Sequence, residues 1–284
     1  MSKFHRKPNL YLGEVSLKVR DMNRSLAFYQ KMIGLKVLEK DGNQAVLSAD
    51  GKTPLVILEQ LENMEEKLSR TAGLYHFAIL LPSRRALSVF LRHLLETGYP
   101  FGAADHLVSE ALYLNDIDGN GIEVYADRPS EEWKWKNGLI LMDTLELDGA
   151  GILAETSDPW EGLPPGTIMG HIHLHVSDLE KAKEFYTKGL GYSIVSYYPR
   201  AIFMSTGGYH HHIAINTWQG VGIPGTAKNH VGMKWYRIFY PDEETRKETI
   251  GRLESMDVKV SKQGEDYFTA DPSGNGIRLS LSWE

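Results

Sequence analysis

The chain has 284 residues, 42% of them apolar, and a formal net charge of −6 at pH 7, which suits one large domain or two ordinary ones with buried cores. It contains no cysteine, so disulfides, thiolate metal sites and a cysteine nucleophile are excluded, and any metal must be held by histidine, carboxylate or water. Charges of both signs are interspersed without a Lys/Arg tract, which argues against a nucleic-acid partner.

From the N-terminus, MSKFHRKPNLYLGEV lacks the apolar core of a signal peptide, and no later run approaches the roughly 18 apolar residues of a membrane span. A cytoplasmic protein without a membrane partner is expected. Four alternating strands follow: EVSLKV (Glu14 to Val19), HFAILL (His76 to Leu81), HIHLHV (His171 to Val176) and KWYRIF (Lys234 to Phe239). Each leads into a helix and then three more strands. In the third unit Asp178 can cap a helix that runs through Phe185 and Tyr186 and closes at Gly189 or Gly191.

The units repeat. VRDMNRSLAFYQKMIGL from Val19 matches VSDLEKAKEFYTKGLGY from Val176, with Asp21, Phe28, Tyr29 and Gly34 recurring as Asp178, Phe185, Tyr186 and Gly191. DIDGNGIEV from Asp116 likewise matches DPSGNGIRL from Asp271. The chain therefore reads as a tandem over 9–128 (modules 9–60 and 72–128), a connector over 129–167, and a second tandem over 168–284 (modules 168–220 and 229–284). The connector carries a candidate helix near Asp148 to Glu155 and a Leu163-Pro164-Pro165-Gly166 stop before the third module.

Four βαβββ modules resemble the vicinal oxygen chelate superfamily, which includes glyoxalase I, fosfomycin-resistance proteins and type I extradiol dioxygenases. The resemblance implies an α+β fold of two cup-shaped eight-stranded sheets, with metal ligands at the start of a module's first strand and near the end of its last. The first slot lies seven residues before the position that opens the helix: His76 precedes Ser83 and His171 precedes Asp178 by this interval. Modules 1 and 4 place Glu14 and Trp235 there instead. The last-strand slot, four residues beyond a turn glycine, holds Glu123 in module 2 and Arg278 in module 4, and arginine cannot ligate a cation. A complete set of His76, His171 and Glu123 arises only if modules 2 and 3 share a metal cup, leaving modules 1 and 4 to form a metal-free one. Two histidines and one carboxylate form the facial triad of non-haem Fe(II) oxygenases; Mn(II) and Zn(II) remain open. His173 and His175 share a strand face with His171 and are expected to line the pocket or support ligands.

Two further segments resemble extradiol dioxygenases. HLVSEALYLNDIDGNGIE presents His106, Leu112, Tyr113, Gly119 and Glu123 in the order of that family's signature, with Ile117 in place of the usual proline. GGYHHHIAIN, Gly207 to Asn216, resembles the segment with paired histidines. It puts His210 and His211 on the pair and His211 on the acid/base position. If the segment is a strand, His210 and His212 point away from His211. The resemblance, which is to catechol 2,3-dioxygenases of the bacillus type, implies Fe(II) with a small aromatic diol and O2 as substrates. His211 would then move protons, Tyr113 would hydrogen-bond the diol and His106 would line the pocket. A homo-oligomer is compatible with it. The competing readings are a glyoxalase-type metal-dependent isomerase or lyase and a non-catalytic small-molecule binding protein.

Overall fold

The computed structural model describes residues 2–282. Module 1 runs through β1 (Tyr11–Lys18), α1 (Met22–Phe28), β2 (Lys36–Asp41), β3 (Gln44–Ser48) and β4 (Pro54–Glu59). Module 2 comprises β5 (Gly73–Leu80), α2 (Arg84–Thr97), β6 (Gly102–Asp105), β7 (Ser109–Asn115) and β8 (Gly121–Asp127). The connector forms a short hairpin, β9 (Trp135–Lys136) and β10 (Leu139–Ile140), and the helix α3 (Gly149–Leu153). Module 3 contains β11 (Ile168–His175), α4 (Leu179–Glu184), β12 (Ser193–Tyr198), β13 (Ala201–Ser205) and β14 (Ile213–Asn216). Module 4 ends the chain with β15 (Gly232–Tyr240), α5 (Glu243–Ser255), β16 (Ser261–Gln263), β17 (Asp266–Ala270) and β18 (Gly276–Leu281). Among the described residues no helix is long and apolar enough to cross a membrane.

Each module's helix starts at a side-chain cap. Asp21, Ser83, Asp178 and Asp242 have extended backbone, and each accepts a backbone N–H from the first turn, satisfying a donor that has no partner within the helix. In modules 1 and 3 the helix then departs from the regular pattern and widens into a π-turn, Tyr29–Ile33 and Phe185–Gly189. At these turns Tyr29 donates to Asp116 (2.9 Å) and Tyr186 donates to Asp271 (3.1 Å). Both aspartates are buried and also accept from the side chains of Asn120 and Asn275. The two repeated sequence motifs therefore meet each other, clamping module 1 to module 2 and module 3 to module 4.

The strands form two eight-stranded sheets, β16-β17-β18-β15-β1-β4-β3-β2 and β12-β13-β14-β11-β5-β8-β7-β6. Modules 1 and 4 share the first sheet and modules 2 and 3 the second, so the two modules of each tandem fall in different sheets. The joints are the antiparallel pairs β1/β15 and β5/β11. In β5/β11, His173 faces His76 and Leu174 faces Leu74, which leaves Tyr75 as an extra residue. Farther along, Met169 faces Ile79 and His171 faces Ala78, which leaves Gly170 extra. Both are β-bulges immediately before a candidate ligand, and such bulges re-aim the side chains beside them. Register shifts at the corresponding places in β1/β15 mark them as part of the duplicated framework.

The sheet of modules 1 and 4 fills its ligand-equivalent positions with its own charges. Ser16 faces Trp235 as His173 faces His76, so Trp235 stands in the position of His76. Arg237 lies beside Arg278 as Ala78 lies beside Glu123. The Arg278 guanidinium sits 5.2 Å from the Trp235 ring centre and pairs with Asp266, a cation–π contact where the other sheet has imidazole and carboxylate. Glu14, the counterpart of His171, forms a buried pair with Arg237 at 2.7 Å, and Arg237 also donates to Ser280. Glu14→Gln is expected to leave bound metal and turnover unchanged while lowering stability by about 2 kcal/mol, because the buried Arg237 would lose the charge of its closest carboxylate partner and keep the longer pair with Asp266 at 3.7 Å. Urea unfolding and metal analysis of the same preparation check both halves of this expectation; metal loss would show that this sheet holds the ion.

Candidate active site

β11, β5 and β8 are neighbours in the second sheet, and they carry His171, His76 and Glu123. The Nε2 atoms of His76 and His171 approach the same oxygen, Glu123 Oε2, at 3.1 and 3.0 Å. All three residues are buried, and their candidate ligand atoms lie within 4.8 Å of one another. His76 Nε2 and His171 Nδ1 have no hydrogen-bond partner, although buried polar atoms are normally satisfied. An imidazole nitrogen left unpartnered beside a carboxylate is the arrangement that a cation completes, and two imidazoles with a carboxylate suit a divalent metal. Burial pushes the His171 imidazole down to about 4 against the pull of Glu123, so at neutral pH the ring is uncharged and has a lone pair to offer.

Close backbone approach makes this geometry possible. A side chain at Gly121 would meet the Tyr75 carbonyl oxygen at 2.1 Å and His76 Cβ at 3.1 Å, and one at Gly170 would meet the Tyr125 hydroxyl at 1.9 Å. The glycines let β8 and Tyr125 pack directly against the ligand-bearing strands. Behind β11, His5 Nε2 donates to the Gly170 carbonyl at 2.9 Å and Phe4 stacks on Trp133, so the segment preceding module 1 braces the site.

A cavity of about 360 Å³ opens over the three ligand candidates. Tyr113, His106, His173 and His211 all line it, whereas His175, His210 and His212 do not. His106 donates from Nδ1 to the Asp143 carbonyl (2.8 Å), and its Nε2 is hydrogen-bonded to the Tyr113 hydroxyl (2.5 Å). Burial first, and then Glu123, pushes the Tyr113 hydroxyl well above the usual tyrosine range, so it stays protonated within reach of both His106 and Glu123. His173 and His175 are both held by Asn216: its amide donates to His173 Nε2 (2.9 Å), and its oxygen accepts from His175 Nδ1 (2.8 Å) and from the Trp218 amide (3.0 Å). Asn216 thus explains why two of the three alternating histidines are not ligand candidates.

The triple histidine is not a strand, because β14 begins at Ile213. Alternation therefore does not separate His210 from His211. Their Nδ1 atoms lie 2.8 Å apart, and His210 Nε2 is 2.9 Å from Asp127 Oδ1, which also accepts from Tyr209. A carboxylate only accepts, so His210 donates from Nε2, and a singly protonated His210 ring then accepts at Nδ1. His211 then carries its proton on Nδ1 and keeps a lone pair on Nε2. Burial and the neighbouring imidazoles hold His211 well below the usual histidine range. His212 turns the other way, toward the Phe4 carbonyl.

Several residues of the site, some lining the cavity and one, Asp127, behind it, escaped the sequence reading. Strand alternation assigns Tyr75 to the face opposite His76, but the bulge brings it into contact with His76 and His173. Asp127 lies four residues beyond Glu123 on β8, and that even spacing was a usable signal. Met142, Asp143 and Thr144 come from the connector, whose composition carries no such signal.

The sequence model of the Glyoxalase/Bleomycin resistance protein/Dioxygenase superfamily matches residues 11–124 and 168–279. The chain belongs to this superfamily. A catechol-2,3-dioxygenase of Bacillus subtilis (strain 168) is 44% identical over 267 residues, covering 92% of this chain and 94% of the relative. Among solved structures, a candidate dioxygenase from Bacillus subtilis subsp. subtilis str. 168 shares the fold at a TM-score of 0.66 and 11% identity, over 100% of this chain and 87% of that one. Glyoxalase I from Zea mays does so at 0.59 and 16%, over 96% and 92%.

The superfamily cup is built here around imidazoles that burial keeps neutral. His5, His171 and His175 are each pushed down to about 4 by burial, so between about pH 6.5 and 4 the unfolded chain binds more protons than the folded one. Stability of the metal-free protein should therefore be level above about pH 6.5 and fall as the pH drops toward 4, with His5 alone contributing on the order of 3 kcal/mol. Urea midpoints across that range test this; a flat profile contradicts it.

Proposed function

We propose that the protein is an extradiol ring-cleaving dioxygenase that opens catechol or a substituted catechol with Fe(II) and O2. The observation that carries this reading is the 44% identity, across nearly the whole of both chains, to a relative named catechol-2,3-dioxygenase. The chemistry of the donor set supports it. Two imidazoles and a carboxylate, with no sulfur, suit Fe(II), although Mn(II) and Zn(II) accept the same donors. When bound, such a metal lowers the pKa of a coordinated diol and links it electronically to dioxygen.

The chain's own residues supply the remainder. His76, His171 and Glu123 would hold the metal, and Tyr75, Phe203 and Trp218 would confine the ring and exclude water. His211, with its Nε2 lone pair kept available by the Asp127 and His210 hydrogen bonds, would take a phenolic proton as the diol binds and return it as the ring opens. Tyr113, whose hydroxyl is tied to His106, would hydrogen-bond the diol. Glyoxalase chemistry usually adds a second carboxylate ligand, and among the described residues the ligand group has only Glu123.

Protein reconstituted anaerobically with Fe(II) should consume oxygen and form a yellow ring-opened product when catechol and air are added. Glutathione-dependent isomerisation without oxygen uptake would overturn the reading. Ala at His76, His171 or Glu123 should remove the iron. His211→Ala should retain it while turnover falls about 10² to 10⁴-fold, and Asp127→Asn should retain it with a smaller loss. Iron stoichiometry alongside oxygen uptake separates these classes; wild-type turnover in His211→Ala would move the proton role to His173 or His106.

A further inference from the structure

The hydrogen bonds around His173 decide which of its ring nitrogens carries the hydrogen. The chain of bonds starts at the backbone N–H of Trp218, which can only donate. It lies 3.0 Å from Asn216 Oδ1, so that end of the amide accepts and the other end is the NH2 donor. His175 Nδ1, 2.8 Å from the same oxygen, therefore donates to it. On its other side the Asn216 NH2 donates to His173 Nε2 at 2.9 Å. A ring nitrogen that accepts bears no hydrogen, so the hydrogen of His173 is on Nδ1.

This arrangement is held firmly. Asn216 is fully buried, and the parallel pairing of β14 with β11 sets it beside His175. The His173 ring meets Tyr75, His76 and Trp218 edge-on at 5.0, 5.2 and 5.1 Å between ring centres. Among the described residues Nδ1 has no hydrogen-bond partner, yet it is not one of the polar atoms sealed in the core without one, and the ring lines the cavity over the ligand candidates. The Nδ1–H therefore opens onto that cavity. Two fixed histidines then flank the ligand candidates with opposite character: His211 offers a lone pair and His173 offers a hydrogen.

We infer that His173 donates a hydrogen bond from Nδ1 to negative charge that develops on oxygen as the ring opens, and that Asn216 is the positioning residue that fixes this tautomer. A donor oriented in advance, in a site from which aromatic rings exclude water, stabilises developing charge without reorganising at the moment of reaction. His173 keeps its hydrogen throughout, which separates its role from the proton transfer assigned to His211. The kinetic part of the inference rests on the ring-cleavage reading, whereas the tautomer does not.

The test pairs spectroscopy with kinetics on the full chain. Long-range proton–nitrogen NMR spectra of the Zn(II)-loaded protein, with the His173 signals assigned by their loss in His173→Gln, should show Nδ1–H in the wild type. They should show Nε2–H in Asn216→Asp, because a carboxylate oxygen facing His173 can only accept. On Fe(II)-reconstituted protein, kcat from oxygen uptake should fall about 10²-fold in Asn216→Asp and in His173→Gln. Iron content and the anaerobic Kd for catechol should stay within about threefold of the wild type. His173→Asn, whose shorter amide can reach the Nδ1 position, should keep kcat within about tenfold. Nε2–H in the wild type would overturn the inference, as would wild-type kcat in His173→Gln or an equal loss in the Asn and Gln variants. Iron loss from either His173 variant would also overturn it, by making His173 a ligand. Should Asn216→Asp fail to fold, the wild-type spectrum and the two His173 variants decide. Absence of oxygen uptake by the wild type with every diol would refute the ring-cleavage reading and the kinetic role with it, while the spectra still decide the tautomer.

Discussion

The register of β5 against β11 is the constraint on which the site depends. His76 and His171 are far apart in sequence and come from modules that do not belong to the same tandem. Only an antiparallel joint with His173 opposite His76 brings their Nε2 atoms to one oxygen of Glu123. A shift of one residue would turn each ligand to the other face. The two bulges fix the outcome further: Gly170 gives Tyr125 its place against β11, and Tyr75 is swung into the cavity. Because these irregularities recur in β1/β15, they belong to the duplicated backbone, and the chemistry is added by side chains.

The two sheets then show one backbone used in two electrostatic ways. In one, buried charge is balanced within the chain, Glu14 by Arg237 and Arg278 by Asp266. In the other, a buried carboxylate faces two imidazoles, of which burial keeps His171 uncharged, and ring nitrogens are left without a hydrogen-bond partner. Buried charge without compensation is costly, so the first sheet is complete as it stands and the second calls for a cation.

Much of this was legible beforehand. The repeats at Asp21/Asp178 and Asp116/Asp271 pointed to four equivalent modules, and the equal spacing from His76 and His171 to their helix caps singled out two residues of the group that could hold a metal, because local signals such as caps and turn glycines recur at fixed intervals. What was hidden depends on departures from regular periods or on distant partners. The recurring tyrosines serve as clamps to Asp116 and Asp271, which needs the π-turn. Tyr75 needs a bulge. His210 and His211 meet because their segment is not a strand, and the restraint on His173 and His175 comes from Asn216 on a neighbouring strand.

The duplicated framework also explains why a second metal site would not follow from restoring ligands alone. Histidine at positions 14 and 235 and a carboxylate at 278 would reproduce the donor set in backbone-equivalent positions. Arg237 would remain where the other sheet has Ala78, and a buried guanidinium deprived of Glu14 would both repel a cation and claim the new carboxylate for itself. Phe239, whose ring lies 5.4 Å from that guanidinium, would hold it in place. The absence of a ligand set in one sheet is therefore not a simple loss of three side chains but a rearrangement in which the charge of the missing ion has been taken over by arginine.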